Sequence, residues 1–313
     1  MGSRTRPPCS AAPPRRRRHA WGRTRHGRGR RASPVLSGRP CPNATDASAA
    51  GSPWWNCAVS ANVFGMPGYT PETYGDSFAD VYDEWYGDLA DHDFVDALVR
   101  NLPASPARVL ELGVGTGRLL DRLVAARGTV RDDLTGVDSS AAMTVRAAAV
   151  PSLAGARLET ADFSRSIPGG TYDLVFCGYN TLFNLPDDDS VSRALSLARG
   201  VLAPGARLVV DAAVVRPEDA SDDVTVRTMT AGRVVLSVTR HDAAAQRIIG
   251  QFVELADGRP VTLRPWSVRY LAPAQLDALA VGAGLRLAER HADGRGTEFT
   301  PDSRRHVSAY GCA

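Results

Sequence analysis

The chain has 313 residues, of which 43% are hydrophobic, and a formal net charge of +3, which is an ordinary composition for a globular protein. No apolar run approaches the roughly 18 residues that a membrane-spanning helix requires, so the sequence argues against a membrane partner. The five cysteines are scattered without the paired spacing of a zinc site or a disulfide framework, so we expect a cytoplasmic protein with no metal.

The net charge conceals a strong asymmetry along the chain. Residues 1–65 contain 12 arginines and one acidic residue, Asp46, whereas residues 66–313 contain 25 arginines and 33 acidic residues. The first 65 residues show no hydrophobic period and are rich in arginine, proline and glycine, which is typical of disorder. We therefore expect a disordered tail over residues 1–65, which need not belong to the natural protein, and a folded domain over residues 66–313. Only this basic tail would suit nucleic acid, and its composition favours a tail without a folded role.

Helical spacing of apolar residues opens the folded part. It extends over residues 74–101, interrupted near Gly87, and we expect an N-terminal helical lid there. Short apolar strands then alternate with helices, at residues 108–113, 134–138, 157–163, 172–179 and 206–214. Such alternation predicts right-handed crossovers and a mostly parallel sheet covered on both faces, which is a doubly wound α/β fold.

The hydrophobic period changes after the fifth strand. Four segments within residues 222–271 alternate apolar and polar residues with no helix between them, which predicts an antiparallel β flap inserted at this point. A helix over residues 273–281 follows, and residues 285–290 and 306–311 are predicted as two final strands. The flap is therefore expected to be an insertion in a single α/β domain.

A glycine-rich turn follows the first strand, in the stretch 108-RVLELGVGTGRLL-120. A turn of this kind lets the backbone approach a ligand closely. Gly113, Gly115 and Gly117 have the spacing G-x-G-x-G, and Arg118 stands where a dinucleotide-binding turn has its third glycine. Glu111, just before the turn, would repel a pyrophosphate but suits a cation. The turn therefore predicts a ligand with positive charge beside the glycines.

Further candidates stand near the ends of the next two strands. Asp138 can accept hydrogen bonds from both hydroxyls of a ribose, as it could in an NAD site. Asp162 and Phe163 could contact the amine and the ring of an adenine, with Met143 on the other side of the ring. Three of these residues also have a purely structural explanation: Met143 could pack in the core, Asp162 could cap a turn, and Glu111 could pair with an arginine. Their occurrence together at successive strand ends favours a binding site.

These segments resemble the successive motifs of the class I S-adenosylmethionine-dependent methyltransferases. The resemblance rests on 109-VLELGVGTG-117, 134-LTGVDSSAAM-143, 159-ETADF-163, 172-YDLVFCGYNTLFNL-185 and 202-LAPGARLVVD-211. The leading 74-YGDSFADVYDEWYG-87 is similar to the N-terminal segment of members that act on metabolites and amino sugars. The resemblance covers about residues 69–311 and implies a seven-stranded sheet of order 3-2-1-4-5-7-6, with its last strand antiparallel.

The resemblance also implies contacts with the cofactor, S-adenosylmethionine. Gly113, Gly115 and Gly117 would pass beneath its methionyl part, and Glu111 would interact with its ammonium group. The remaining implied contacts follow the order of the strands: Asp138 with the ribose hydroxyls, Ser139 and Met143 with the adenine, Asp162 and Phe163 with its amine and ring, and Cys177 to Asn180 with the methionyl moiety and the transferred methyl.

The expected reaction is transfer of a methyl group to an amine or hydroxyl of a small-molecule acceptor, such as a metabolite or a sugar. A sulfonium methyl is already activated, so positioning is the main requirement. The candidates near the reacting atoms are Tyr74, Tyr82, Asn180 and His306. The sequence identifies no general base among them, which favours an amine acceptor because an amine can arrive deprotonated.

Several alternatives stay open at this stage. A nucleic-acid or protein methyltransferase could use the basic tail, although 177-CGYNTLFN-184 lacks the Asn/Asp-Pro-Pro-aromatic motif of enzymes that act on base amines. A metal-dependent enzyme would need a carboxylate cluster, whereas Asp187, Asp188 and Asp189 are predicted to begin a helix. A cofactor-binding scaffold without activity is the remaining alternative. The oligomeric state is left open, a homodimer included.

Overall fold

The computed structural model describes residues 63–89 and 91–313. The predicted disordered tail lies outside the described residues apart from its last three positions. None of the helices in the two described ranges is long and apolar enough to cross a membrane.

The described elements alternate along most of the chain as the hydrophobic pattern predicts. In chain order they are α1 (Thr73–Phe78), α2 (Tyr82–Tyr86), α3 (His92–Arg100), β1 (Arg108–Leu112), α4 (Arg118–Arg127), β2 (Asp133–Asp138), α5 (Ala141–Ala148), β3 (Arg157–Thr160), β4 (Tyr172–Cys177), α6 (Asp188–Val201), β5 (Leu202–Ala213), β6 (Asp223–Met229), β7 (Arg233–Asp242), β8 (Arg247–Ala256), β9 (Thr262–Arg269), α7 (Pro273–Gly282), β10 (Leu285–His291) and β11 (Arg305–Cys312). Short 3₁₀ turns occur at Pro151–Leu153, Thr181–Asn184 and Pro217–Asp219.

The main sheet has seven strands in the order β10-β11-β5-β4-β1-β2-β3. The strands β3, β2, β1, β4 and β5 are parallel, and β11 is antiparallel to both of its neighbours, β5 and β10. This arrangement confirms the predicted doubly wound fold and its strand order. The carboxyl ends of β1, β2 and β4 therefore lie side by side, where ligands bind in sheets of this kind.

The parallel strands of the main sheet carry nearly continuous hydrophobic runs, so apolar side chains project from both faces of the sheet and are buried on both. One cluster joins alternate residues of β4 and β5 to α6 and α7. The other cluster includes Phe94 and Leu98 of α3 and Leu119, Leu120 and Leu123 of α4. Helix α3 thus belongs to the core layer, and only the shorter α1 and α2, called the leading helices below, stand apart from it.

The β flap, residues 222–271, forms a second sheet of four antiparallel strands in the order β6-β7-β8-β9. This is the antiparallel insertion after β5 that the alternating pattern predicts. Phe252 and Trp266 of the flap belong to the same apolar cluster as Phe78 of α1 and Trp85 of α2. The leading helices therefore contact the flap as well as the main domain.

The packed part of the chain includes residues ahead of Met66. Phe64 is 6% exposed, its ring centroid lies 5.1 Å from that of Tyr69, and its carbonyl accepts a hydrogen bond of 2.6 Å from the hydroxyl of Ser267 in β9. The neighbouring Val63 is 49% exposed. Phe64 therefore fastens the start of the leading segment to the flap.

We expect Phe64→Ala to lower the free energy of unfolding by about 2 kcal/mol, because it removes a buried aromatic side chain. The exposed Val63→Ala serves as the matched control and should change that free energy by less than about 0.5 kcal/mol. Urea denaturation of the two variants measures the difference. Equal effects would show that Phe64 makes no stabilising contact.

Candidate active site

The glycine turn leaves β1 with three successive glycines at left-handed backbone angles, φ 75° at Gly113, 55° at Gly115 and 84° at Gly117. A Cβ at Gly113 would overlap the Thr181 methyl group, whereas nothing lies within 4 Å of the place where a Cβ of Gly115 would be. The turn is therefore packed on one side and open on the other, which suits close approach of a ligand to the backbone.

Asp138 ends β2 directly beside this turn. Its two carboxylate oxygens accept hydrogen bonds of 2.9 Å from the backbone N–H groups of Gly115 and Ser140. Burial raises the pKa of Asp138, and these two hydrogen bonds oppose the rise. Each oxygen keeps acceptor capacity for a hydroxyl group.

Glu111 lies at the end of β1, beneath the turn, and is 2% exposed. Its Oε2 atom has no hydrogen-bond partner among the described residues. Burial raises the pKa of Glu111 well above its usual range, although the nearby charge of Arg118 acts in the opposite direction. Arg118 instead makes its ion pair with Asp91, which also pairs with Arg122 at 2.8 Å. The site therefore contains a buried carboxylate whose ionised form is stabilised by an incoming cation.

A cavity of about 70 Å³ lies over the glycine turn. Its lining comes from the leading segment, from the turns after β1, β2 and β3, and from the turn after β4; the residues are Pro71, Tyr74, Gly75, Tyr82, Gly113, Gly115, Asp138, Ser139, Met143, Phe163, Thr181 and Asn184. Six of the residues that the resemblance assigns to the cofactor thus line one cavity.

Asp162, Cys177, Glu111 and Gly117 do not line this cavity. The Asp162 carboxylate accepts a hydrogen bond of 2.8 Å from the N–H of Ser164, so it caps a turn here, and its contact with an adenine amine stays a prediction. Cys177 is 1% exposed, and burial raises the pKa of its thiol, which keeps it protonated and unreactive.

The leading helices place two phenols at the cavity, Tyr74 from α1 and Tyr82 from α2. The Tyr74 ring stacks on Phe78 at 4.5 Å between centroids. Burial raises the pKa of both hydroxyls, that of Tyr74 well above its usual range. Both phenols therefore stay protonated at neutral pH, so each has an O–H group that can donate a hydrogen bond, and neither is a base.

The turn after β4 contains two non-glycine residues in the left-handed region, Tyr179 at φ 51° and Asn180 at φ 64°. Asn180 does not reach the cavity, because its side-chain oxygen accepts a hydrogen bond of 2.6 Å from the N–H of Ala213. Its backbone N–H donates to the carbonyl of Asp211 at 3.1 Å. Asn180 holds a strained turn in this structure, and such turns concentrate at functional sites.

Beyond that turn, Thr181 and Asn184 are the residues that reach the cavity. Neither residue is among the site residues that the sequence predicts. They lie within the matched stretch 172–185, which is the only signal that could have pointed to them.

His306 begins the antiparallel strand β11 and is fully buried, away from the residues that line the cavity. Its Nδ1 atom lies 2.8 Å from the hydroxyl of Ser308. Burial and the charge of Arg290 lower the pKa of His306 to about 4, so the ring is neutral at pH 7 and a weak base. The predicted role of His306 as a base gains no geometric support from this position.

No group of three His, Cys, Asp or Glu side chains that could hold a metal ion occurs within residues 63–89 and 91–313.

The Asp187 carboxylate accepts a hydrogen bond of 2.8 Å from the N–H of Ser190 and caps α6, as the sequence predicts for a helix N-terminus.

Several known proteins that are similar to this chain are methyltransferases. A family model described as "Methyltransferase domain" matches residues 109–205. The structure of the methyltransferase CcbJ from Streptomyces caelestis is 35% identical, with a TM-score of 0.70, covering 78% of this chain and all of that one. The sugar N-methyltransferase KedS8 from Streptoalloteichus is 22% identical with a TM-score of 0.57, covering 78% of this chain and 98% of that one, and shows the shared fold alone.

One curated relative matches over a shorter region. It is trans-aconitate 2-methyltransferase from Streptomyces avermitilis, 42% identical over 96 residues, which is 28% of this chain and 35% of that protein. The chain thus matches about a third of the length of this relative. Together with the full-length structural match, these findings show that the chain belongs to the S-adenosylmethionine-dependent methyltransferases, and its cofactor is S-adenosylmethionine.

The site fits this cofactor. At the cavity, the free acceptor capacity of Asp138 suits ribose hydroxyls, and the open side of Gly115 leaves room beside the backbone. The unpaired oxygen of Glu111 suits an ammonium group, although Glu111 itself does not line the cavity. Met143 and Phe163 supply apolar surface on the same cavity.

We expect Glu111→Gln to raise the unfolding midpoint of the ligand-free protein at pH 8. A carboxyl group whose pKa is raised on folding stabilises the folded state fully only below its unfolded pKa, and this stability is lost as the pH rises through the folded pKa. A gain of about 1 kcal/mol would correspond to roughly 2–4 °C. The advantage of the variant over wild type should shrink towards pH 4, where both side chains are uncharged.

Thermal unfolding followed by circular dichroism at pH 4, 6 and 8 checks this expectation. Glu218→Gln, an exposed position in the 3₁₀ turn Pro217–Asp219, is the matched control and should show no pH-dependent gain. A midpoint of Glu111→Gln below that of wild type at pH 8 would contradict the inference that Glu111 is a destabilising buried charge.

Proposed function

We propose that this methyltransferase transfers a methyl group to an amine of a small-molecule acceptor, with Glu111, Asp138, Met143 and Phe163 holding the cofactor. The observation that carries the proposal is the cavity itself, in which the glycine turn and Asp138 face two protonated phenols of the leading helices. S-adenosylmethionine supplies a methyl group on a positively charged sulfur, which needs no further activation.

The residues around the cavity support positioning as the main source of catalysis. The titratable side chains that line it within the described residues are Tyr74, Tyr82 and Asp138. The two phenols stay protonated, and both Asp138 oxygens already accept backbone hydrogen bonds. An amine that arrives deprotonated needs no base, whereas a hydroxyl usually does, so this lining favours an amine acceptor.

Within this proposal the leading helices exclude water and orient the acceptor. Tyr74 and Tyr82 can donate hydrogen bonds to acceptor oxygens, and their ring faces attract a cation. The relative KedS8 is named a sugar N-methyltransferase, and an amino sugar is a reasonable first acceptor class to screen. The cytoplasmic location, the absence of a nucleic-acid partner and the homodimer left open by the sequence stay predictions.

We expect the full chain to bind S-adenosylhomocysteine with a micromolar Kd and to show no comparable affinity for NAD. Asp138→Ala should weaken this binding at least tenfold, because the ribose hydroxyls lose a charged acceptor. Asp133→Ala, at the opposite end of the same strand, is the matched control and should leave the Kd unchanged. Isothermal titration calorimetry measures all three proteins.

Two outcomes would overturn the proposal. Binding of NAD in place of S-adenosylhomocysteine would contradict the methyl-donor site, and equal affinities of the two aspartate variants would contradict the role of Asp138. A screen of amines and hydroxyl compounds with the bound cofactor then decides the acceptor class.

A further inference from the structure

The leading helices are too short to fix their own position. Helix α1 has six residues and α2 has five, neither has a side-chain cap at its N-terminus, and α2 contains no buried residue. Isolated helices of fewer than about 12 residues are marginal in water. The place of Tyr74 and Tyr82 over the cavity must therefore be set by contacts with the rest of the protein.

On the side of the main domain these contacts are hydrogen bonds from hydroxyl groups. Ser140 donates to Asp76 at 2.6 Å, and Thr116 donates to Asp83 at 2.7 Å. Ser139 donates to the carbonyl of Pro71 at 3.1 Å. These bonds hold the leading segment against the very strand ends that carry the cofactor candidates.

On the side of the flap, ionic contacts accompany the apolar cluster described above. Arg264 of β9 makes two parallel hydrogen bonds to the Asp80 carboxylate, at 2.6 and 2.9 Å, and also donates to the carbonyl of Ser77. Arg233 of β7 donates to Glu84 of α2 at 2.6 Å. Bidentate pairing of this kind fixes geometry as well as adding attraction.

The two arginines are joined to each other through a third flap residue, Glu254 of β8. Arg233 lies 2.7 Å and Arg264 3.4 Å from its carboxylate oxygens. The side chains of Arg264 and Glu254 are 8% and 14% exposed, whereas those of Asp80 and Glu84 are 63% and 58% exposed. The flap thus contains three side chains that pair with one another, Arg233, Glu254 and Arg264. Two more exposed carboxylates pair with the arginines from the other side, Asp80 in the turn between α1 and α2 and Glu84 in α2.

This arrangement makes the contact reversible. Breaking a buried ion pair is costly when it leaves an unpaired charge in the interior. Here the arginines keep Glu254 when Asp80 and Glu84 leave, and the departing carboxylates pass into water. Separation of the leading helices from the flap therefore leaves each arginine with Glu254 as an ionic partner.

The cavity supplies a reason for such movement. Its volume of about 70 Å³ is well below the roughly 300 Å³ at the lower end of small-molecule sites. The leading helices line it on one side, so a shift of these helices would make room for a cofactor-sized ligand.

We propose that Arg233, Glu254 and Arg264 form a clasp that positions the leading helices over the cavity by binding Asp80 and Glu84, and that the clasp opens when the cofactor enters or leaves. This proposal rests on the proposed cofactor site. The clasp residues are positioning residues, since they act on the ligand through α1 and α2.

The test compares two double variants of the full chain with equal changes in charge. Asp80→Asn with Glu84→Gln removes both outer carboxylates. Glu72→Gln with Asp88→Asn removes two exposed carboxylates of the same leading segment that make no ion pair among the described residues. Unfolding midpoints establish that both proteins are folded.

The first measurement is the dissociation rate constant of S-adenosylhomocysteine, followed by stopped-flow tryptophan fluorescence at 50 and 500 mM salt. We expect dissociation from the clasp variant to be roughly three to ten times faster than from wild type at low salt, as two ion pairs of this exposure imply. Salt should speed dissociation from wild type and from the control variant but barely affect the clasp variant.

The second measurement is amide hydrogen exchange of residues 73–86 in the ligand-free proteins, which requires no cofactor. Exchange should be faster in the clasp variant alone. Equal exchange and equal dissociation in the two double variants would overturn the clasp. Failure of wild type to bind S-adenosylhomocysteine would count against the proposed function, whereas the exchange experiment would still decide the clasp.

Discussion

The rest of the site depends on one buried, unpaired carboxylate. Glu111 ends the central strand β1 in a position where water cannot reach it, and one of its oxygens has no partner among the described residues. Ionising such a group costs free energy unless a cation arrives. The nearest guanidinium, Arg118, is committed to Asp91 and relieves that cost only in part. The protein thus gives up stability at the point where a positively charged ligand would restore it.

The sheet topology and the glycine turn place open backbone next to this carboxylate. Because β1 lies between β2 and β4, the ends of three strands meet around one turn, and left-handed glycines keep that turn free of side chains. The opposite wall comes from the leading helices, which contact both the main domain and the flap. One wall of the cavity is therefore built from strand ends, while the other is built from short helices held by contacts with distant segments.

The sequence predicted the features that depend on local pattern. Period-2 and period-3.6 spacing located the strands and helices, and the glycine spacing with carboxylates at strand ends located Asp138 and Glu111. It could not place features that depend on contacts between distant segments. Arg264 and Asp80 are 184 positions apart, and no local pattern connects them. Asn180 does not reach the cavity because its side chain accepts a hydrogen bond from the N–H of Ala213, and Thr181 lines the cavity instead.

The distribution of charge around the cavity bears on the chemistry more than any single candidate base. A base able to accept a proton from a hydroxyl would need a pKa near neutrality, and the pKa values of the candidate groups are shifted away from neutrality. The phenols are shifted upward, and His306 is shifted down to about 4 inside the core. A closed wall that excludes water and fixes the acceptor lone pair is then the contribution the chain can make. Under the proposed amine transfer, this demand would fall on the contacts that hold α1 and α2 over the cavity.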